Sequence, residues 1–222
     1  MKEFPQPEGA MKTIVCFGDS NTWGYNPANA GRYPAGVRWP GVLKATLEAK
    51  YPGAFEVVAE GQNGRTTVWD DPFGQKKGSS YLLPCLESHK PVDLVIIMLG
   101  TNDLKHRFGV SSYDVAKGLV HLAEMAKSSG FGPADKAPAV LVVAPPPFAR
   151  ISGFAQDFLG GAEKSLTLGK DITAFAALKG FPCFDAGTCI HSSNLDGIHL
   201  DPEEHGKLGA ALAREAVELI KA

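Results

Sequence analysis

The chain reads as an α/β protein, a three-layer α/β/α sandwich around a central five-stranded parallel sheet. Three observations predict it. Five short apolar runs, TIVCFG, FEVVAEG, VDLVIIMLG, AVLVVAPP and FPCFDAG, alternate with segments of helical period. The third is apolar almost throughout, as a central parallel strand covered on both faces must be. The length of 222 residues, 44% of them hydrophobic, suits one substantial core rather than two. A β–α alternation closes with right-handed crossovers, which puts ligand-binding loops at the carboxyl ends of the strands.

Taken in order, the first strand spans 13–18 and breaks into small polar residues at Gly18, Asp19 and Ser20. A helix follows near 40–50, then a strand over 55–61. Residues 65–90, carrying TTVWDDPFGQKKGSS, fit no simple crossover. The central strand covers 92–100 and a helix covers 112–129. A strand over 139–146 leads into PPPFARISGFAQDFLG at 145–160, the second stretch that is too long for a connection; such insertions at strand ends shape a pocket or an interface. A helix at 161–179 and a strand at 181–187 precede the last helix, 202–221. There Asp201 is expected as N-cap, Pro202 at the first helical position and Glu204 as the acid of a capping box, with Leu208, Ala211, Leu212, Val217 and Leu219 facing the sheet.

Composition removes several function classes. Charged residues make up 21% and the net charge is -2, with no Lys/Arg-rich run to track a phosphate backbone, so nucleic acid is not an expected partner. The apolar stretch after MKEFPQPEGAMK is about five residues long, too short for a signal h-region or a membrane span, so neither membrane nor secretion is expected and the location is expected to be cytoplasmic. Met11 offers an alternative start, with residues 1–10 as a flexible tail ahead of a single domain over 11–222. Cys16, Cys85, Cys183 and Cys189 lack metal-site spacing; three lie in apolar runs, where a reduced thiol acts as a small hydrophobe.

The polar residues cluster at strand ends. The first strand ends in Gly18-Asp19-Ser20, the second in EGQNGRTT, the third in GTND, and NLDGIHLD precedes the final helix. In the predicted fold these loops share one rim, and together they hold what acyl transfer needs. A serine hydroxyl is a poor nucleophile until an imidazole takes its proton, and that imidazole needs a carboxylate to fix its tautomer. Asp196 and His199, separated by the bend at Gly197, form such a pair beside Ser20. The backbone N–H groups of Ser20 and Gly64 and the amide of Asn102 would serve the oxyanion, each such donor contributing about 3 to 4 kcal/mol. Singly, each residue has a plainer reading as helix cap, turn glycine or surface histidine; their joint arrival at four strand ends favours catalysis.

These blocks resemble those of the SGNH hydrolases, or GDSL-type esterases, whose fold is flavodoxin-like. FGDSNTWG resembles the first block with Ser20 as nucleophile, GQNGRTT the second with Gly64, GTND the third with Asn102, and DGIH the fifth with Asp196 and His199. Asn21 stands where the motif name has leucine, a change expected to affect packing rather than chemistry. VRWPGVL, TTVWDDP, SYLLPCL and LVIIMLGTND are similar to the oligomeric arylesterase and acyltransferase branch. The resemblance implies a small-molecule ester substrate with a short acetyl or aryl-ester group, no cofactor, no metal, a homo-oligomer and some acyl transfer to alcohols or peroxide. Carbohydrate acetyl esterase, lysophospholipase and thioesterase activities are the alternatives within the family. Asp19 is expected to hold the serine loop, and Trp23, Trp39 and Trp69 are candidates for pocket, interface or core.

Three rivals make distinct demands. A flavodoxin-like module would cradle a phosphate or flavin at Ser20-Asn21-Thr22 but leaves DGIH without a role. A metal hydrolase would need Asp196, His199, Asp201 and His205 together, although Asp201 reads as a cap and His205 as a residue with surface neighbours. A silent binding member would not need the full set of groups. His191 and His205 compete with His199 as the base; the carboxylate three residues upstream favours His199.

Overall fold

The computed structural model describes residues 11–220. The tail expected at 1–10 lies outside them. Strands β1 (Lys12–Gly18), β4 (Phe55–Gly61), β5 (Leu94–Met98), β6 (Ala139–Ala144) and β7 (Cys183–Asp185) form one parallel sheet in the order β4-β1-β5-β6-β7. The remaining two, β2 (Tyr25–Asn26) and β3 (Gly31–Arg32), make a small antiparallel hairpin that the periodicity did not indicate. Register pairs Gly18 with Gly61 on one side and with Met98 on the other, so the first three strand ends lie level.

Side chains of β1 and β5 alternate strictly between two cores, because successive residues of a strand point to opposite faces. Val15, Phe17, Val95 and Ile97 pack under α3 (Gly78–Ser88), α4 (Ser112–Lys127) and α5 (Gly161–Leu178) through Leu82, Leu86, Leu119, Leu168 and Ile172. On the other face Ile14, Cys16, Leu94, Ile96 and Met98 meet α2 (Trp39–Lys50) and α6 (Pro202–Leu219) through Trp39, Leu43, Leu47, Leu208 and Leu212. Both faces being covered explains why LVIIM is wholly apolar.

Two sequence expectations need correction. Helix α3 lies within the stretch that fitted no crossover; Leu82, Cys85 and Leu86 give it a buried stripe, but a Gly-Ser-Ser start, an uncapped N-terminus and Pro84 inside it mask the signal. The capping box at the start of α6 does not form. Asp201 precedes the helix but makes no side-chain cap; its carboxylate accepts from Ser193 Oγ at 2.8 Å. Glu204 is buried and accepts from the His191 backbone N–H at 2.9 Å and from Lys207 at 2.8 Å. Both acids are drawn away by the preceding loop, which must anchor the segment that carries DGIH.

Candidate active site

The chain breaks at the end of β1 into a four-residue helix, α1 (Ser20–Trp23), with Ser20 as its first residue. Asp19 is the N-cap: its Oδ1 accepts from Asn21 N–H at 3.0 Å, and its Oδ2 accepts from Asn102 Nδ2 at 3.3 Å. Asp19 thus holds the serine loop, as expected, and also ties it to the GTND loop. Burial raises its pKa, opposed by the Asn21 bond and by nearby cationic groups.

The DGIH loop reaches the same place from the far end of the chain. Asp196 Oδ1 accepts backbone N–H groups of Ile198 and His199 at 2.9 and 3.0 Å, and Oδ2 lies 2.6 Å from His199 Nδ1. Nε2 of the same ring lies 2.9 Å from Ser20 Oγ. A carboxylate only accepts, so the proton sits on Nδ1 and leaves Nε2 to accept from the serine hydroxyl. Burial pushes the Asp196 carboxyl up, but the hydrogen bonds from His199 and Ile198 outweigh it and its pKa ends below the ordinary value. Gly197 makes the bend possible at φ +85, and a Cβ there would stand 2.5 Å from Arg150 O. The 145–160 insertion braces this bend: Ala149 N–H donates to Gly197 O and Ser152 N–H to Asp196 O.

Gly64 and Asn102 complete the ring of strand-end loops. Ser20, Gly64, Asn102 and His199 line one cavity of about 180 Å³. Gly64 has φ +81, a conformation that aims its loop without a Cβ penalty. Arg65 behind it is 3% exposed and donates to the carbonyls of Gly18 and Glu60, which locks the second block to the end of β1. In the third block Asp103 is buried and accepts from both Thr67 N–H and Thr67 Oγ1. Burial raises its pKa to about 6.

Several lining residues carried no sequence signal for a site. Tyr25, from the hairpin, stacks on His199 with ring centroids 4.1 Å apart, and Phe154 meets the same ring edge-on at 5.9 Å. Phe158, Ile198, Lys105, Asp157 and Asn63 also line the cavity. The insertion at 145–160 hinted at three of them, Phe154, Asp157 and Phe158, and Asn63 and Ile198 lie within the second and fifth blocks.

Other expectations fall elsewhere. His205 does not have surface neighbours: it is fully buried, its Nδ1 accepts from Trp39 N–H at 3.3 Å, and burial lowers its pKa to about 4. It and Asp201 are therefore engaged away from Asp196 and His199. Trp39 is core, and neither Trp23 nor Trp69 lines the cavity. Asn21 does more than pack: its Nδ2 reaches Ile198 O at 3.4 Å, linking the serine loop to DGIH. Cys16 and Cys85 are buried thiols, Cys183 is half-buried and Cys189 is exposed.

Residues 16–207 match the model of the GDSL-like lipase/acylhydrolase family. The chain belongs to that family. It is accordingly a carboxylic ester hydrolase with the SGNH hydrolase fold. An inhibitor-bound aryl esterase of M. smegmatis superposes with a TM-score of 0.88 at 42% identity, covering 94% of this chain and 99% of its own. A carbohydrate acetylesterase of Sinorhizobium meliloti gives 0.88 at 40% identity, covering 94% and 99%. A second carbohydrate acetylesterase family member from the same organism gives 0.88 at 33% identity, covering 96% and 100%. Among proteins of curated function, none matches the sequence. No helix among the described residues is long and apolar enough to cross a membrane.

Proposed function

We propose that the chain is a serine esterase that cleaves short acyl esters through an acyl-enzyme intermediate. The relay from Asp196 Oδ2 through the His199 ring to Ser20 Oγ, with steps of 2.6 and 2.9 Å, carries the reading. Ser20 Oγ attacks the ester carbonyl while His199 Nε2 takes its proton. Backbone N–H groups of Ser20 and Gly64 and the Asn102 amide receive the oxyanion; Asn102 spends one N–H on Asp19 and has a second to give. Collapse of the intermediate breaks the ester C–O bond, and the alcohol leaves with the proton from His199. Water, deprotonated by the same nitrogen, then releases the acid and restores the serine.

A cavity of about 180 Å³ walled by Tyr25, Phe154, Phe158 and Ile198 suits an acetyl or other short acyl group better than a long chain. Aryl and carbohydrate acetyl esters, named for the relatives, are the first classes to try. Assembly into a homo-oligomer, a cytoplasmic location and acyl transfer to alcohols or peroxide belong to the same proposal, and size-exclusion chromatography with light scattering tests the first.

The decisive assay is hydrolysis of p-nitrophenyl esters of rising chain length. The wild type is expected to favour acetate to butyrate. Ser20→Ala and His199→Ala are expected to lose about three to four powers of ten in kcat while melting like the wild type. Retained turnover in either variant would overturn the assignment.

A further inference from the structure

We propose that Lys105, with Lys76 at its outer lip, forms an anion subsite beside the reacting centre, which selects esters carrying a carboxylate or similar anionic oxygen. The inference rests on the esterase reading above and adds the substrate class.

Lys105 follows GTND directly and its side chain lines the cavity that holds Ser20, Gly64, Asn102 and His199. It is half-buried. Its ammonium stands 5.8 Å from the Phe158 ring centroid and 3.9 Å from where a Cβ on Gly64 would lie. Lys76 approaches the same spot, its Cε 3.6 Å from that position. Two lysine side chains therefore stand next to the loop proposed to bind the oxyanion.

Neither ammonium has a hydrogen-bond acceptor or an ion-pair partner among the described residues, and the carboxylates nearby are already taken. Asp157, which lines the cavity, receives Arg107 at 2.7 Å, and Asp71 lies 3.6 Å from Arg107 Nε. Lysines with a structural task in this chain look different: Lys164 Nζ caps Val110 O at 2.7 Å and Lys207 pairs with Glu203 and Glu204. Burial lowers the pKa of Lys105, reinforced by Arg107, while Asp71, Asp157 and Asp19 pull it back towards the charged form. With Tyr25, Phe154, Phe158 and Ile198 as the other walls, the ammonium sits partly out of water with no bonded counter-charge. A substrate anion would supply that counter-charge, and the low dielectric makes the pairing worth more than at an open surface.

The test compares two matched pairs of esters by pH-stat: 3-acetoxybenzoate against 3-acetoxybenzamide, with the charge on the alcohol half, and monoethyl succinate against ethyl succinamate, with the charge on the acyl half. For each enzyme the readout is the ratio of kcat/KM for the anionic ester to that for its neutral isostere. In Lys105→Met that ratio is expected to fall by about 10- to 100-fold in at least one pair, through KM more than kcat, and Lys105→Arg is expected to restore most of it. Lys76→Met should lower the same ratio by a smaller factor. An unchanged ratio in both pairs, or an equal loss on all four esters, would overturn the subsite. A wild type that turns over p-nitrophenyl acetate but none of the four would also overturn the subsite; a wild type inert on p-nitrophenyl acetate too, or a Ser20→Ala variant as active as wild type, would instead overturn the esterase reading beneath it.

Discussion

Replacing Asp196 by asparagine separates the chemistry of this site from its architecture. The two backbone N–H groups of Ile198 and His199 are received by Oδ1, at 2.9 and 3.0 Å, and an asparagine oxygen in that place keeps both. What changes is the partner of His199 Nδ1, which lies 2.6 Å from Oδ2. An amide NH2 there donates, so the imidazole must turn its tautomer round, accept at Nδ1 and carry its proton on Nε2, facing Ser20 Oγ. The serine then has no base. The barrier should rise by about 5 kcal/mol, corresponding to a fall in kcat of roughly 10⁴, with KM within about threefold and little change in thermal melting. Asp196→Ala removes the backbone bonds as well and should lose about 2 to 3 kcal/mol of stability besides. Initial rates on p-nitrophenyl acetate and a thermal melt of each variant decide it. An asparagine variant within tenfold of wild-type kcat would show that Asp196 does not set the histidine tautomer.

Two further outcomes follow from the packing and the buried groups. Gly197→Ala should lose about 2 to 4 kcal/mol, because φ is +85 and the new Cβ would stand 2.5 Å from Arg150 O and 2.6 Å from Ile151 N; Gly64→Ala meets only flexible lysine chains at 3.6 to 3.9 Å and should lose about 1 kcal/mol, and equal melting temperatures for the two would refute the distinction. His205 and Asp103 should tilt stability against pH in opposite senses. The native His205 takes a proton only near pH 4 against an ordinary 6.5, so stability falls as pH drops through that window; the native Asp103 keeps its proton to about pH 6 against 3.8, so stability falls as pH rises through its own. Each effect is roughly 3 kcal/mol and they offset. Urea titrations from pH 4 to 7 should therefore show His205→Asn losing stability on alkalisation and Asp103→Asn gaining it, and two variants with the wild-type profile would disprove the assignment.

The amino-acid sequence by itself determined the sandwich, the five strands and the loops that meet at their ends. Those features are local or periodic: a run of β-branched residues covered on both faces, a glycine where the chain must turn, and a hydroxyl, an amide, an acid and an imidazole placed where strands stop. Tertiary packing decided the rest. Helix α3 owes its existence to Leu82, Cys85 and Leu86 being buried against α4 and the sheet, not to its weak start or to Pro84. Asp201 and Glu204 have the spacing of a cap, but the DGIH loop needed their carboxylates and took them. His205 is buried because α6 turns it towards Trp39, some 166 residues earlier in the chain. Tyr25 and Phe154 enclose the His199 ring, and Lys105 borders its cavity, only because a hairpin, an insertion and a strand-end loop from distant parts of the chain converge there. Spacing along the backbone sets which groups a loop carries. Which of them touch is set by long-range burial, and no short window of residues contains that information.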